Sequence, residues 1–259
     1  MDFARFENVT LTEKRRPLLS DLKFSIFEGE FFGILGGPSS GKTTLLRALL
    51  GIIKPRHGEI AVHVRPGEAS ILPEGGFVNL WDTPGVLRFG YVPHADSVDE
   101  SFPLTALQIV RLCRLAAMGA WHRPNEQDEK VVLDKLKLLG VFESRTELYR
   151  SLPTDQKQRV LLARALVAEA RVLVLDEPLE SMTQENRRTT IQLLEQLYSQ
   201  GGLTVVYATK REEELPRGIE HVLVIGSGRG RVVPRGEMGV PVESLPNREP
   251  EAAAHPGKP

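Results

Sequence analysis

One stretch of nine residues, Gly36-Gly37-Pro38-Ser39-Ser40-Gly41-Lys42-Thr43-Thr44, leaves this chain few choices of fold. It follows an apolar run with strand character, Phe31-Phe32-Gly33-Ile34-Leu35, and leads into a helix-forming segment that opens with Leu45-Leu46-Arg47. Strand, loop of small residues and helix fit the pattern G-x-x-x-x-G-K-[ST]. Small residues let backbone N–H groups converge on a phosphate, and a helix N-terminus adds partial positive charge there. Lys42 is placed to reach the β/γ-phosphates, and the Thr43 hydroxyl suits Mg²⁺. With Gly41, Lys42 and Thr43 all in place between the right elements, a turn that merely uses glycine for tightness is the weaker reading.

The second constraint is Arg171-Val172-Leu173-Val174-Leu175-Asp176-Glu177-Pro178. It reads as a buried strand with two carboxylates at its C-terminal end, where open α/β sheets place their ligands. The chain of 259 residues is long enough to bury a full core as one large domain or one domain with a lobe. A net charge of −1 excludes a general affinity for nucleic acid, and the single cysteine, Cys113, excludes a disulfide framework or a zinc cluster. The first residues lack a signal-peptide charge pattern, and no apolar run approaches the length of a membrane span. The expected home is the cytosol.

Alternating apolar residues over 3–11 and 22–27 predict strands around a basic turn, Lys14-Arg15-Arg16-Pro17. The helix after Lys42 should stop at Gly51. Residues 54–90 read as strands and loops, and within them Trp81-Asp82-Thr83-Pro84-Gly85 reads as a turn. Asp-Thr-Pro-Gly also occurs as a GTPase switch, but no Asn-Lys-x-Asp motif follows it. Helices are expected over 103–120, with Leu104, Leu107, Val110, Leu115 and Met118 at helical spacing and Cys113 and Met118 in the core, over 125–139, closed by Gly140, and over 155–169. A helix from Ser181 to Gln200 should open on a capping box, Ser181-x-x-Gln184. Strands are expected over 203–208 and 221–225, with a short Glu-rich helix between them. Helices thus gather between two strand-rich parts, as a helical lobe inserted into an α/β core. Residues 240–259 are Pro-rich and aperiodic and read as a loosely ordered tail. The histidines at 57, 63, 122, 221 and 255 follow no metal-ligand spacing.

With phosphate loop, Leu-Asp-Glu-Pro strand and inserted helices in this order, the chain resembles the nucleotide-binding subunit of an ABC transporter over about residues 3–235. The likeness is greatest over 31–51 and over 158–178, which includes Gln158-Arg159-Val160-Leu161-Leu162-Ala163-Arg164-Ala165-Leu166. A third block, Gly90-Tyr91-Val92-Pro93 with Ser101-Phe102-Pro103-Leu104-Thr105, looks like the corresponding region of manganese and zinc importers. The resemblance implies a P-loop NTPase of the ABC-ATPase fold, α/β, with an N-terminal antiparallel β subdomain and an inserted helical lobe. It implies one nucleotide-binding domain over 1–239, with the lobe at about 97–168. ATP and Mg²⁺ would be held by Gly36, Gly37, Pro38, Ser39, Ser40, Gly41, Lys42, Thr43 and Thr44, with Thr43 and Asp176 on the metal. Glu177 would polarise the attacking water, and Lys42 and Lys210 would stand at the transferred phosphate.

Five other family positions are altered. The signature Leu-Ser-Gly-Gly-Gln, which closes over the γ-phosphate of ATP on a partner chain, falls on Leu152-Pro153-Thr154-Asp155-Gln156. Pro153 has neither hydroxyl nor N–H. A carboxylate about 5 Å from phosphate at an effective dielectric near 20 costs roughly 3 kcal/mol per unit charge. Asp155 would serve better as a cap for the helix that follows. The glutamine expected after Gly-Tyr-Val-Pro is His94, a poor substitute for an amide oxygen on Mg²⁺. Ser-Ala-Leu-Asp after Pro178 is Glu180-Ser181-Met182-Thr183, so the inter-subunit aspartate is missing. The switch histidine is Lys210, a point charge without the same fixed geometry. The aromatic that stacks on adenine falls near Glu13, unless Phe3 or Phe6 substitutes.

The expected function is therefore Mg-ATP binding and hydrolysis coupled to transport through a separate membrane subunit, slow in the isolated chain. The expected assembly is a homodimer, or a heterodimer with a second ATP-binding chain, at the inner face of the cell membrane. The alternative is an ATP-binding regulatory or scaffolding protein with little hydrolysis. Intact Glu177 speaks against that, because a non-hydrolysing binder has no need of it. A translation or repair ATPase lacks support, since the chain has no second ATPase domain, long coiled coil or basic surface.

Overall fold

The structure, a computed structural model, describes residues 1–14, 16–69, 72–83, 85–94, 98–118 and 123–238. Arg15, Pro84, His122, His255 and the expected tail over 240–259 lie outside the described residues. In chain order the strands are β1 (Asp2–Glu13), β2 (Arg16–Phe27), β3 (Phe31–Gly36), β4 (His57–Val64), β5 (Gly76–Asn79), β6 (Phe89–Val92), β7 (Val172–Asp176), β8 (Thr204–Thr209), β9 (His221–Gly226) and β10 (Arg229–Pro234). The helices are α1 (Lys42–Leu49), α2 (Ala106–Met118), α3 (Glu126–Leu138), α4 (Thr154–Leu166) and α5 (Gln184–Ser199). The chain divides into two compact units, the first made of Met1–Glu28, Leu35–Val86 and the chain from His221, the second of Gly29–Ile34 and Leu87–Glu220.

The first unit holds a four-stranded sheet in the order β2-β1-β4-β5, with each neighbouring pair antiparallel. Leu22, Phe24 and Ile26 of β2 alternate as the sequence does and are buried, and Phe3, Phe6, Val9 and Leu11 of β1 are buried across register shifts that break strict alternation. Phe6 and Phe24 stack, with ring centroids 4.3 Å apart. The β9–β10 hairpin belongs to the same unit, and Ser20 N–H donates to Gly228 O at 2.8 Å. β10 was not expected from the sequence. Its Arg-Gly-Arg start masks the strand pattern, and it is held as the edge partner of β9.

In the second unit β6, β7 and β8 run parallel, with β7 in the middle. Every residue of β7 and β8 is buried, as the unbroken apolar runs require of parallel strands covered on both faces. Helices α2, α3 and α4 pack on one another as the inserted lobe, and α4 also packs on β6. That contact is close: a Cβ on Gly90 would meet Ala165 O at 2.6 Å.

Three local expectations are corrected. Only Ala106, Val110 and Arg114 of α2 are buried, while Leu107, Cys113, Leu115 and Met118 are half-buried. Arg114 takes the core position because Asp128 of α3 and Glu169 both pair with its guanidinium. The α5 cap is Thr183, whose hydroxyl accepts from Asn186 N–H, and not Ser181. The α4 cap is Pro153, with no side-chain bond, so Asp155 lies inside the first turn and pairs with Arg159 at 3.2 Å. The turn at 81–83 is built on Asn79, which accepts from Trp81 N–H through its side chain and from the Thr83 hydroxyl through its carbonyl.

Candidate functional site

The phosphate loop lies in the first unit. Gly41 ends it at φ 103°, a left-handed backbone, and a Cβ there would also come within 2.9 Å of Leu19. Gly41 offers no side-chain cap to the start of α1, and a helix N-terminus favours an anion. Lys42 is buried, and its ammonium folds back to donate to Gly36 O at 2.7 Å and Gly37 O at 2.9 Å. Thr43 and Thr44 are half-buried. The Ser40 hydroxyl is buried with no hydrogen-bond partner among the described residues, and a polar group in that state calls for a ligand or water. Gly36 must lack a side chain, since a Cβ would meet that same oxygen at 2.5 Å.

Asp176 and Glu177 lie in the second unit, at the C-terminal end of β7. Asp176 is fully buried. Burying a carboxylate costs several kcal/mol unless cations or donors face it. Glu177 leaves the strand at φ 48°, while its N–H still donates to Ala208 O at 3.0 Å. Such a backbone is uncommon for any residue but glycine, and here it sets the carboxylate at the strand end, one-tenth exposed. Lys210, just after β8, brings its ammonium to 3.7 Å from Glu177 Oε2 and pairs directly with Glu180 Oε1. His94 Nε2 meets the other oxygen, Glu180 Oε2, at 2.6 Å. Burial alone would raise the Glu180 carboxyl, but Lys210 and His94 outweigh it and hold the group below its ordinary value. The Lys210 ammonium is correspondingly raised, first by its bond to Glu180.

Both loops in this cluster are tied down from behind by Arg187 of α5. Its guanidinium donates to Leu179 O and Met182 O, each at 3.0 Å, and to Glu180 O at 3.1 Å. It also pairs at 3.0 Å with buried Glu214, which accepts from the Thr209 hydroxyl at 2.7 Å. The sequence reading found His94, Glu180 and Lys210 only as separate departures from a pattern and missed Arg187. The signal available was charge: a new carboxylate at 180 answers new nitrogen groups at 94 and 210.

In the signature segment Pro153 and Thr154 are exposed, and the Asp155 charge is balanced by Arg159. Lys157 anchors the segment to Glu100 at 2.7 Å. Phe3 and Phe6, named as substitutes for the adenine-stacking aromatic, are core residues at 0% and 2% exposure, so neither offers a ring face.

Three comparisons with known proteins bear on the family and the fold. Residues 19–180 match the ABC transporter family. The chain is 29% identical, over 78% of its length and 75% of the relative's, to a manganese transport system ATP-binding protein of Bacillus subtilis (strain 168). It is 27% identical to that organism's high-affinity zinc uptake system ATP-binding protein, over 88% of this chain and 93% of the other. The dimeric structure of a bacterial ABC transporter cassette superposes with a TM-score of 0.75 at 24% identity, over 90% of this chain and 98% of that one, which shows the fold. The chain belongs to the ABC transporter family.

Proposed function

We propose that the chain binds Mg-ATP through Gly36–Thr44 and hydrolyses it to drive passage of a divalent metal ion through a separate membrane subunit. The observation that carries the reading is the α1 N-terminus, uncapped by any side chain, with the Lys42 ammonium folded over the carbonyls of its own loop. On binding, Lys42 exchanges those carbonyls for the β/γ-phosphates, and the loop N–H groups take the β-phosphate. The Thr43 hydroxyl and the Asp176 carboxylate are hard oxygen donors of the kind Mg²⁺ prefers, and they would hold it. That ion supplies neutralisation of the phosphate charge. Glu177 accepts a hydrogen bond from the attacking water and aligns it, while Lys210 offsets negative charge at the γ-phosphate. The products are ADP and inorganic phosphate.

The metal-ion cargo follows from likeness to subunits named for manganese and zinc transport. The domain reading is one nucleotide-binding domain over 1–239 with the helical lobe at about 97–168. None of the described helices is long and apolar enough to cross a membrane, which supports a peripheral place at the inner face of the cell membrane beside a membrane subunit. The assembly is a dimer of ATP-binding chains. Pro153 and Asp155 favour a second, different chain that supplies an intact signature, since Pro153 has no donor and Asp155, paired with Arg159, stands where the family has a glycine.

The test is Mg²⁺-dependent ATP turnover of the full chain, with nucleotide binding measured in parallel and Glu177→Gln as control. Tight binding is expected, with slow turnover that the substitution abolishes. Turnover unaffected by Glu177→Gln overturns the assignment of Glu177. Binding with no turnover, alone or beside a second ATP-binding chain, overturns hydrolysis and leaves a regulatory protein.

A further inference from the structure

Three departures from the family pattern lie far apart in sequence, at 94, 180 and 210, yet they are one contact cluster. His94 follows β6, Glu180 follows β7 and Lys210 follows β8, and all three strands are parallel neighbours in the second unit. Glu180 is the hub: one carboxylate oxygen takes His94 Nε2 and the other takes the Lys210 ammonium. We propose that Glu180 is a positioning residue, which pins the Lys210 ammonium beside the Glu177 carboxylate so that lysine can stand where the family has a histidine.

The physical need is plain. An imidazole is a short, stiff ring that holds one direction, whereas a lysine ammonium rides on a flexible four-carbon stem with many rotamers. Left alone, Lys210 would sample solvent and meet Glu177 only part of the time. A charge-assisted bond from Glu180 selects the rotamer that leaves Nζ 3.7 Å from Glu177 Oε2. The hub is itself held rigidly, because Arg187 binds the main-chain carbonyls of Leu179, Glu180 and Met182. Through Glu214 and Thr209 the same guanidinium fixes the strand end that carries Lys210. His94 occupies the second oxygen of Glu180 and restricts the carboxylate to one orientation.

His94, Glu177 and Glu180 also place three ligand atoms within 4.8 Å of one another, a spacing a cation could use. The Lys210 ammonium already stands on both carboxylates, so it serves as their counter-ion, and the cluster is an ion network.

The role of Lys210 in hydrolysis rests on the function proposed above, but the pinning does not, and two measurements separate them. The first is the rate of amine acylation at Lys210 in the full chain, read by mass spectrometry against exposed Lys54. Glu180→Ser and Glu180→Gln should label Lys210 about fivefold faster, with Glu180→Asp in between and Lys54 unchanged. Equal labelling in all four proteins overturns the proposal, whether or not the chain hydrolyses ATP. The second is a double-substitution cycle on kcat. Glu180→Gln should lower kcat roughly tenfold with KM for ATP within about twofold, and should have no further effect in a Lys210→Ala background. Effects that multiply independently overturn it. If Glu177→Gln leaves turnover intact, the hydrolysis reading fails, and the labelling result still decides the pinning.

Discussion

Glu177 and Glu180 stand three positions apart and are tuned by opposite means. Glu177 is placed by its backbone, in the left-handed region at φ 48°, a conformation that costs about 1–3 kcal/mol for most residues and tends to persist at functional sites. Glu180 is placed by its side chain, between two nitrogen groups. The consequence for pH has a definite sign. The Glu180 carboxyl lies below its ordinary value of 4.5, because Lys210 and His94 overcome the effect of burial. A carboxyl depressed in the folded state contributes stability that is fully present above its unfolded value and is lost as pH falls through the folded one. The unfolding free energies of the native chain and Glu180→Gln should therefore differ at neutral pH by about 0.5 kcal/mol, the scale of a partly exposed pair. Urea titrations should show that gap closing in acid below pH 4.5. A gap that persists unchanged in acid would remove the ion pair as its cause.

Among the elements, α5 does the most to shape the site, through Arg187. Replacing it with methionine keeps the stem but leaves three loop carbonyls without their donor and Glu214 buried against weaker partners. Removing one member of a buried charged pair costs about 3–5 kcal/mol, and the exposure of Arg187 places Arg187→Met near the lower end. Denaturant unfolding should show a loss of about 3 kcal/mol, and a change below about 1 kcal/mol would rule the clamp out. Nothing in the sequence announces this. The phosphate loop, β7 and β8 are legible because their signals are local: a fixed motif, and apolar runs bounded by turn residues. The antiparallel strands β1 and β2 are legible through their alternation. The β10 edge strand, the Arg114 core position and the His94–Glu180–Lys210 cluster depend on partners distant in sequence, so no local pattern carries them. The α5 cap was misplaced by two residues because Ser181 and Thr183 both satisfy capping chemistry, and the chain path chose Thr183.

For the whole molecule the question is which chain completes the signature. Pro153 is exposed and Asp155 is half-buried at the start of α4, so both can be changed without disturbing a core. Pro153→Ser with Asp155→Gly restores the family pattern at both positions: a hydroxyl returns, and a carboxylate leaves. If this chain's own signature limits its turnover, the doubly substituted chain should hydrolyse ATP on its own at least tenfold faster, which corresponds to about 1.4 kcal/mol of barrier. Serine at the α4 start also supplies a side-chain cap that Pro153 lacks, which offsets the cost of glycine inside the first turn and of the lost pair between Asp155 and Arg159. An unchanged rate would shift the limit to the His94–Glu180–Lys210 cluster. The Arg187 clamp adds a last consequence, about inheritance. Within residues 179–182 it reads only main-chain oxygens, which every amino acid provides, and so it holds their course whatever side chains they carry. A loop fastened in that way can exchange its chemistry one residue at a time while its path stays constant, so a lineage could trial a glutamate at 180 before its histidine and lysine partners had arrived.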